Sequence, residues 1–589
     1  MTIFRELYCI MNKRQKLKSF EIIVLQIIGS ILELLGVTMI LPFVSAIMDL
    51  NTIKENTIIF SILKLIGLEG EGEIILFIGV LLVLVYLFKN IVLTAIAHVT
   101  CAFSTNTQKD ICMNLMKSYM SRDYIFFTKT NTAELIRGVT SDANSVMAAL
   151  NISFKLIADT LTVAVIIVYL FYMDFFFAMT MGALVLLCIV IFLQVFKKKI
   201  SAAGKAHVQY NSESLKYANQ AFNGIKEILV KQKDKYFINK YEIVRGQLAN
   251  SVYKHDFLEK IPTYLYESIC VIGLIGVIYT KIFLGEDMHE FIPLLAVFAV
   301  AMFRILPLTS KISTEMNSLL FYKKALDITY ENVKELDENL GEKREVEKSQ
   351  TTFSFTDEIK VSEVCWKYSE GSVNVLENIS LTIKKGDSVA LIGPSGAGKT
   401  TLSDIILGLL KPQKGDVLVD GKSIYTNING WSSIIQYVPQ AVYLTDDSIR
   451  RNIAFGIEDE AIDDRAIWNA LKLAQMKNYV RELPEGLDTM VGERGIRLSG
   501  GQRQRIAIAR ALYDNPEVIV FDEATSSLDS DTESAIMEAI DSLRGIKTLI
   551  IVAHRLSTIR NCNHVFEIDQ KKIREVSGRC DYHEGYIKS

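Results

Sequence analysis

The sequence predicts an α-helical domain with six membrane spans, followed by an α/β domain built around a phosphate-binding loop. Three observations carry this. Long apolar runs crowd the chain before about residue 325. From Thr352 onward, short β-rich runs alternate with helical ones. Within that alternation, GPSGAGKT (Gly393–Thr400) follows the apolar run SVALI and leads into the helical pattern TLSDIILGLL. That is the strand–loop–helix setting that G-x-x-x-x-G-K-[ST] requires. At 589 residues the chain is too long for one domain, and the expected division is 1–325, a charged linker 326–352, and 353–589.

Composition narrows the class. Half the residues are hydrophobic and mean hydropathy is +0.25, high for a protein without a membrane domain. A net charge of −3 argues against a dedicated nucleic-acid binder. The 8 cysteines are scattered without a C-x-x-C or metal spacing, which reads as reduced thiols. No signal peptide is expected, because the first apolar run starts near Phe20 and is too long for one.

The runs are Phe20–Ser45, Ile74–Val99, Ile152–Tyr172, Phe175–Phe196, Tyr264–Leu284 and Phe291–Leu308. Each is long enough for a bilayer at about 1.5 Å per residue. The connections 100–151 and 197–260 are long and rich in Lys and Arg, including Lys197, Lys198 and Lys199. The loop after the fifth run is short and acidic. Charge asymmetry therefore puts both termini, the long connections and the second domain in the cytoplasm, at an inner membrane. Thr57–Gly67 gathers Ile58, Ile59, Ile62, Leu63 and Ile66 on one side, which fits an amphipathic helix on the outer surface or one packed on protein.

The second domain carries the chemistry. The loop Gly393, Pro394, Ser395, Gly396, Ala397, Gly398, Lys399 and Thr400, followed by Thr401, offers backbone N–H groups and a helix N-terminus to the phosphates of ATP. Lys399 is expected to reach the terminal phosphates and Thr400 to ligate Mg²⁺. VIVFDEA is an apolar strand ending in Asp522 and Glu523. Buried strands seldom end in two carboxylates without a task, since unpaired carboxylates are costly to desolvate. Asp522 is expected to hold Mg²⁺ through water, and Glu523 to act as general base on the attacking water.

LSGGQ (Leu498–Gln502) precedes that strand, and it resembles the signature of ATP-binding-cassette (ABC) proteins. Ser499, Gly500, Gly501 and Gln502 form a second glycine-rich turn at a helix start, able to grip a γ-phosphate. The resemblance implies that this turn meets ATP held by the opposite subunit, so two copies of the chain are needed for two complete sites. It implies further roles. Tyr368 is the aromatic that stacks on adenine. Gln440 senses Mg²⁺ and contacts the membrane domain. His554 is the switch histidine at the γ-phosphate. GERG (Gly492–Gly495) and SSLD (Ser526–Asp529) resemble loops facing the dimer. Six spans before such a domain match the half-transporter layout of ABC exporters. That pattern puts short coupling helices near Asp123–Ile136 and Asn219–Leu229.

Charges inside the spans are the best clue to cargo. Glu33, Lys89, Glu267 and Arg304 fall in runs one, two, five and six. Either Glu33 and Glu267 form structural ion pairs, or Lys89 snorkels, or else Lys89 and Arg304 face a cavity and meet an anionic headgroup. The chain resembles bacterial flippases of lipid-linked oligosaccharides in ILELLGVTMILPFVSAIMDL, in FRILP (Phe303–Pro307) and in the nucleotide domain. It departs from them at Thr263, where a basic residue is expected, with Lys260 nearby. The expected function is ATP-driven export of a polyprenyl-pyrophosphate-linked glycan or similar lipid by a homodimer. The alternatives are a drug, peptide or general lipid exporter and, in another class, an ATP-gated channel or receptor.

Overall fold

The computed structural model describes residues 2–39, 43, 71–173, 175–283, 288–347, 353–368, 373–523, 530–553, 555 and 559–576. The outer segment Thr57–Gly67, Ser526–Asp529 and His554 lie outside the described residues. The chain divides into two units. The first is Met1–Arg122 with Phe127–Leu340, and the second is Asp123–Phe126 with Gly341–Ser589.

The described part of the first unit is helical. α1 (Thr2–Ile10) and α2 (Lys13–Thr38) precede α3 (Glu71–Met120). Two short helices follow, α4 (Tyr124–Lys129), which begins in the short segment that belongs to the second unit, and α5 (Thr132–Arg137). A π-helical stretch, Gly138–Asp142, leads into α6 (Ala143–Met173) and then α7 (Phe175–Asn223). Then come short α8 (Ile225–Val230), α9 (Asp234–Phe283) and α10 (Met288–Glu347). The six apolar runs fall on α2, α3, α6, α7, α9 and α10, the first running beyond the described part of α2. α4, α5 and α8 stand where the two coupling helices are expected. α7 and α9 outrun their apolar runs by more than 20 residues into 197–260, so that connection is made of helical extensions, as its length allows.

α3 is apolar on the outside. It exposes Val83, Leu84, Leu87, Phe88 and Ile91 while Lys89 is 2% exposed. In water that distribution is unfavourable, and against lipid tails it is the stable one. Among the described residues three helical stretches are long and apolar enough to cross a membrane: Lys13–Gly36, Gly72–Met120 and Thr132–Tyr172.

Close approaches fix the helix packing. A Cβ at Gly138 would lie 2.2 Å from the Tyr119 hydroxyl, and one at Gly204 would lie 2.1 Å from the Phe321 carbonyl oxygen. Only a glycine lets α7 touch the main chain of α10 there. Two hydroxyl pairs join α9 to α10: Thr263 Oγ1 with Ser310 Oγ at 2.6 Å, and Tyr266 Oη with Ser313 Oγ at 2.7 Å.

The second unit holds two sheets. β1 (Glu358–Trp366), β2 (Leu376–Lys384), β4 (Lys414–Val419) and β5 (Lys422–Ser423) form an antiparallel sheet in the order β2-β1-β4-β5. The other sheet contains β3 (Ser388–Ile392), β6 (Ile435–Val438), β7 (Val518–Asp522), β8 (Thr548–Val552), β9 (His564–Asp569) and β10 (Lys572–Glu575). Its order is β10-β9-β3-β8-β7-β6, parallel except for the hairpin β9–β10. β7 and β8 are buried at every residue, which is why they read as unbroken apolar runs rather than alternations. α11 (Lys399–Ile406) follows β3, and α13 (Gly500–Tyr513) precedes β7, with α12 (Asp464–Leu473) packed on α13. Loops that leave the C-terminal ends of parallel strands meet at one edge, where open α/β sheets bind ligands.

Candidate functional site: a nucleotide site at the sheet edge

The phosphate loop leaves β3 and turns through three glycines in the left-handed half of backbone space: Gly393 at φ 144°, Gly396 at 79° and Gly398 at 103°. The turn is also tight. A Cβ at Gly393 would sit 2.2 Å from the Ile568 carbonyl oxygen, and one at Gly398 would sit 2.7 Å from Leu376 Cδ2. Backbone amides can therefore close around an anion that a side chain would displace. Lys399 opens α11, and its Nζ donates to the Gly393 and Pro394 carbonyls at 2.8 and 3.1 Å. Burial lowers its pKa, opposed by the charges of Glu523 and Asp522. Thr400 shares the first turn of α11 with it.

β7 delivers the carboxylates. Asp522 is 6% exposed and accepts a hydrogen bond from Tyr437 Oη at 3.3 Å. Glu523 turns off the strand at φ 46°, its N–H bonded to the Val552 carbonyl at 3.0 Å, and its Oε2 accepts from Gln440 Nε2 at 2.6 Å. Gln440, four residues in the chain from Gln436 in β6, is thus set against the expected general base. Hydroxyl, carboxylate and amide oxygens are hard ligands, a donor set that fits Mg²⁺.

Tyr368 stacks edge-on to Trp366 at 4.2 Å, and its Oη lies 3.4 Å from Thr401 Oγ1. Its ring is 47% exposed, available to a base seated over the loop. Ser499 caps α13 in a closed capping box: Gln502 N–H donates to Ser499 Oγ at 3.2 Å, and Ser499 N–H donates to Gln502 Oε1 at 2.8 Å. The S-x-x-Q spacing carries that box in the sequence itself. It leaves the first-turn amides of Gly500 and Gly501 at the helix start, where an anion is favoured. Gly492 (φ 75°) and Arg494 (φ 54°) make the GERG turn just before it.

The loop, Tyr368, Gln440, Asp522 and Glu523 therefore lie together, as read from the sequence. Two neighbours were not singled out there. Tyr437 is one, its phenol pKa raised by burial and then by Asp522 and Asp404. Asp404 is the other, 8% exposed and pushed up to about 6 by burial and by Asp522. The signal for Asp404 was its spacing, one helical turn after Thr400 and so on the same face of α11.

Asp404 makes a testable pH dependence. Its folded pKa of about 6 exceeds the ordinary 3.8, so between those values the folded chain keeps a proton that the unfolded chain has lost. Stability associated with this group falls as pH rises through that window. Asp404→Asn is expected to remove the fall and to melt higher than the parent at neutral pH in chelator. Thermal melts of the detergent-purified chain from pH 4 to 7 check this, and parallel curves for the two proteins would refute it.

Comparison with known proteins agrees with this geometry. Residues 19–284 match the family described as ABC transporter transmembrane region, and residues 376–526 match ABC transporter. The heterocyst differentiation ATP-binding protein HepA of a Nostoc species is 31% identical over 452 residues, covering 76% of this chain and 72% of that protein. The chain is an ABC exporter half-transporter. An ATP-dependent lipid A-core flippase of Alkalilimnicola ehrlichii is 28% identical to this transporter over 532 residues, 89% of this chain and 88% of the relative. A flippase of the same description from Cupriavidus pinatubonensis is 28% identical over 454 residues, 76% of each. The solved structure of a bacterial Atm1-family ABC exporter with ATP bound superposes with TM-score 0.67 at 20% identity, covering 93% of this chain and 94% of that one. That likeness fixes the fold: a helical transmembrane domain followed by a nucleotide-binding domain with α/β sheets.

The residues read as meeting the cargo stand differently. Lys89 Nζ pairs with Glu33 Oε2 at 3.1 Å and lies over the Tyr86 ring at 4.6 Å. Tyr86 Oη in turn donates to the Gly36 carbonyl at 3.2 Å. Arg304 falls on α10, with its side chain outside the described residues. Glu267 is exposed on α9. Thr263 is bonded to Ser310 across the α9–α10 contact.

Proposed function

We propose that this ABC exporter hydrolyses ATP to move a lipid-linked oligosaccharide, a polyprenyl-pyrophosphate glycan, or a similar lipid outward across the cytoplasmic membrane. The observation that carries the reading is similarity along nearly the whole chain to proteins named lipid A-core flippases, supported by a phosphate loop with Gln440 and Glu523 paired beside it. A polar head on a long lipid is the cargo class this supports. The working unit is a homodimer, because the Ser499–Gln502 turn and the phosphate loop are the two halves of a site that needs a second copy.

At that site Tyr368 would seat the base, the loop amides and Lys399 the phosphates, and Thr400, Asp522 and Gln440 the Mg²⁺. The ion, when bound, neutralises charge that develops on the phosphoryl oxygens. Glu523 accepts the proton of the attacking water, and Gln440, bonded to it at 2.6 Å, holds the carboxylate in place. His554 would complete the γ-phosphate contacts. ATP binds the closed pair of nucleotide domains better than the open pair, and that difference drives the cycle.

Arg304 is the cation assigned to the anionic head of the cargo, because a guanidinium fork fits a pyrophosphate better than an ammonium does. In vesicles, Arg304→Ala is expected to abolish transfer of a fluorescent polyprenyl-pyrophosphate glycan between leaflets, with Arg304→Lys retaining part of it. Transfer at the parent rate in Arg304→Ala would remove the assignment. Transfer of lipid A-core but not of the glycan by the parent would change the cargo while leaving the exporter.

A further inference from the structure

The long extension of α9 carries a cluster that neither ATP nor cargo uses: His255, Asp256 and Glu259. His255 Nδ1 lies 3.1 Å from Asp256 Oδ1 and 3.9 Å from Glu259 Oε2, and the three ligand atoms all lie within 4.8 Å of one another. His and Glu four apart stand one above the other on a helix, so both can reach one ion. Two ligands of a tetrahedral zinc ion, each about 2.0–2.2 Å from it, are roughly 3.4 Å apart. A small change in the Glu259 rotamer closes the gap from 3.9 Å.

The other side of the imidazole is held as a metal ligand's is. Nε2 faces Ser318 Oγ of α10 at 3.4 Å, and the ring packs on Phe321 at 4.2 Å. In the tautomer with the proton on Nε2, which Ser318 Oγ can accept, the Nδ1 lone pair faces the two carboxylates. Carboxylates only accept hydrogen bonds, so three acceptors then converge on one point, which a cation satisfies. The His255 side chain is 9% exposed and therefore fixed, while Asp256 and Glu259 are 60% and 39% exposed and leave a way in from solvent.

We propose that His255, Asp256 and Glu259 bind one divalent transition metal ion per chain, of the zinc type, with solvent at the remaining position. One imidazole with two carboxylates suits Zn²⁺, Co²⁺ or Ni²⁺ better than Ca²⁺ or Mg²⁺, which favour all-oxygen shells. The ion ties one turn of α9 and, through His255, holds that turn against Ser318 and Phe321 of α10.

Co²⁺ alone is the probe, titrated into the chelator-treated full chain in detergent and read by visible absorption. The expected result is a single tetrahedral-type band saturating at one ion per chain and bleached by Zn²⁺. Glu259→Gln, on an exposed side chain that the fold does not need, is expected to weaken Co²⁺ binding by about 10–100-fold with an unchanged melting temperature. Ser318→Ala is expected to weaken it about tenfold by freeing the ring. Absence of the band, or an unchanged affinity in Glu259→Gln, overturns the site. Since the chain has 7 histidines, a band that survives both Glu259→Gln and His255→Ala places the ion elsewhere and overturns it equally.

Discussion

Glu523→Gln is expected to bind ATP as the parent does and to turn it over about 10²–10⁴-fold more slowly, the usual worth of a general base. The substitution keeps the shape and the acceptor oxygen that Gln440 holds at 2.6 Å, and removes only the capacity to take a proton. The adjacent Asp522, held by Tyr437, cannot substitute for it, because it sits at the last buried position of β7 while Glu523 turns off the strand at φ 46°. Nucleotide binding and steady-state phosphate release on the same purified sample separate the two steps. Turnover within a few-fold of the parent would remove Glu523 as the base, and lost binding would show that the carboxylate shapes the loop instead.

The second large effect lies in the membrane domain. Lys89→Met is expected to destabilise the chain by about 3–5 kcal/mol, since it removes a buried cation whose charge offsets the Glu33 carboxylate across the α2–α3 contact. The Lys89 and Glu33 side chains are 3% and 21% exposed, and their 3.1 Å contact joins α3 to α2. Glu33→Gln with Lys89→Met is expected to recover most of the loss, because both charges of the pair are then removed together. Melting temperature and folded yield in detergent measure the cycle. Leaflet-transfer assays on the double variant decide the role of Lys89. Recovered transport makes the pair structural, and recovered stability without transport makes Lys89 a cargo contact.

The nucleotide domain was legible because its motifs are set by contacts along a few residues. A glycine must stand at 393 because Ile568 leaves no room for a side chain, and two carboxylates end β7 because the strand delivers them to one point. The β-rich runs after Thr352, among them IKVSEVCWKY, NISLTI, SVALI, DVLVDG, IIQYVPQ, VIVFDEA, TLIIVAH and HVFEI, form β1–β4 and β6–β9, whereas β5 and β10 are short hairpin partners without apolar character. What escaped depended on neighbours distant in sequence. Asp404 looks like any helix residue until the fold buries it beside Asp522, and its raised pKa follows first from that burial and then from that neighbour. Lys89 read either as a cavity cation or as one held structurally, and an ion pair was open for Glu33, but nothing local marks the two, 56 residues apart, as partners. The π-helical turn at Gly138–Asp142 carries no signal of its own either.

Main-chain contact at Gly204 gears α7 to α10. The two helices, of 49 and 60 residues, cannot slide past each other there without lifting a backbone off a backbone. Sliding is blocked by that contact more than rotation about it, so relative motion of the pair is expected to be a tilt pivoted near Phe321. A tilt of about 5° over roughly 30 residues, about 45 Å of helix, carries the far end about 4 Å. That is a displacement large enough to open or shut a path for a lipid headgroup, achieved with almost no change in the packing at the pivot. A methyl group at 204 would raise the fulcrum and blunt the stroke at both ends at once.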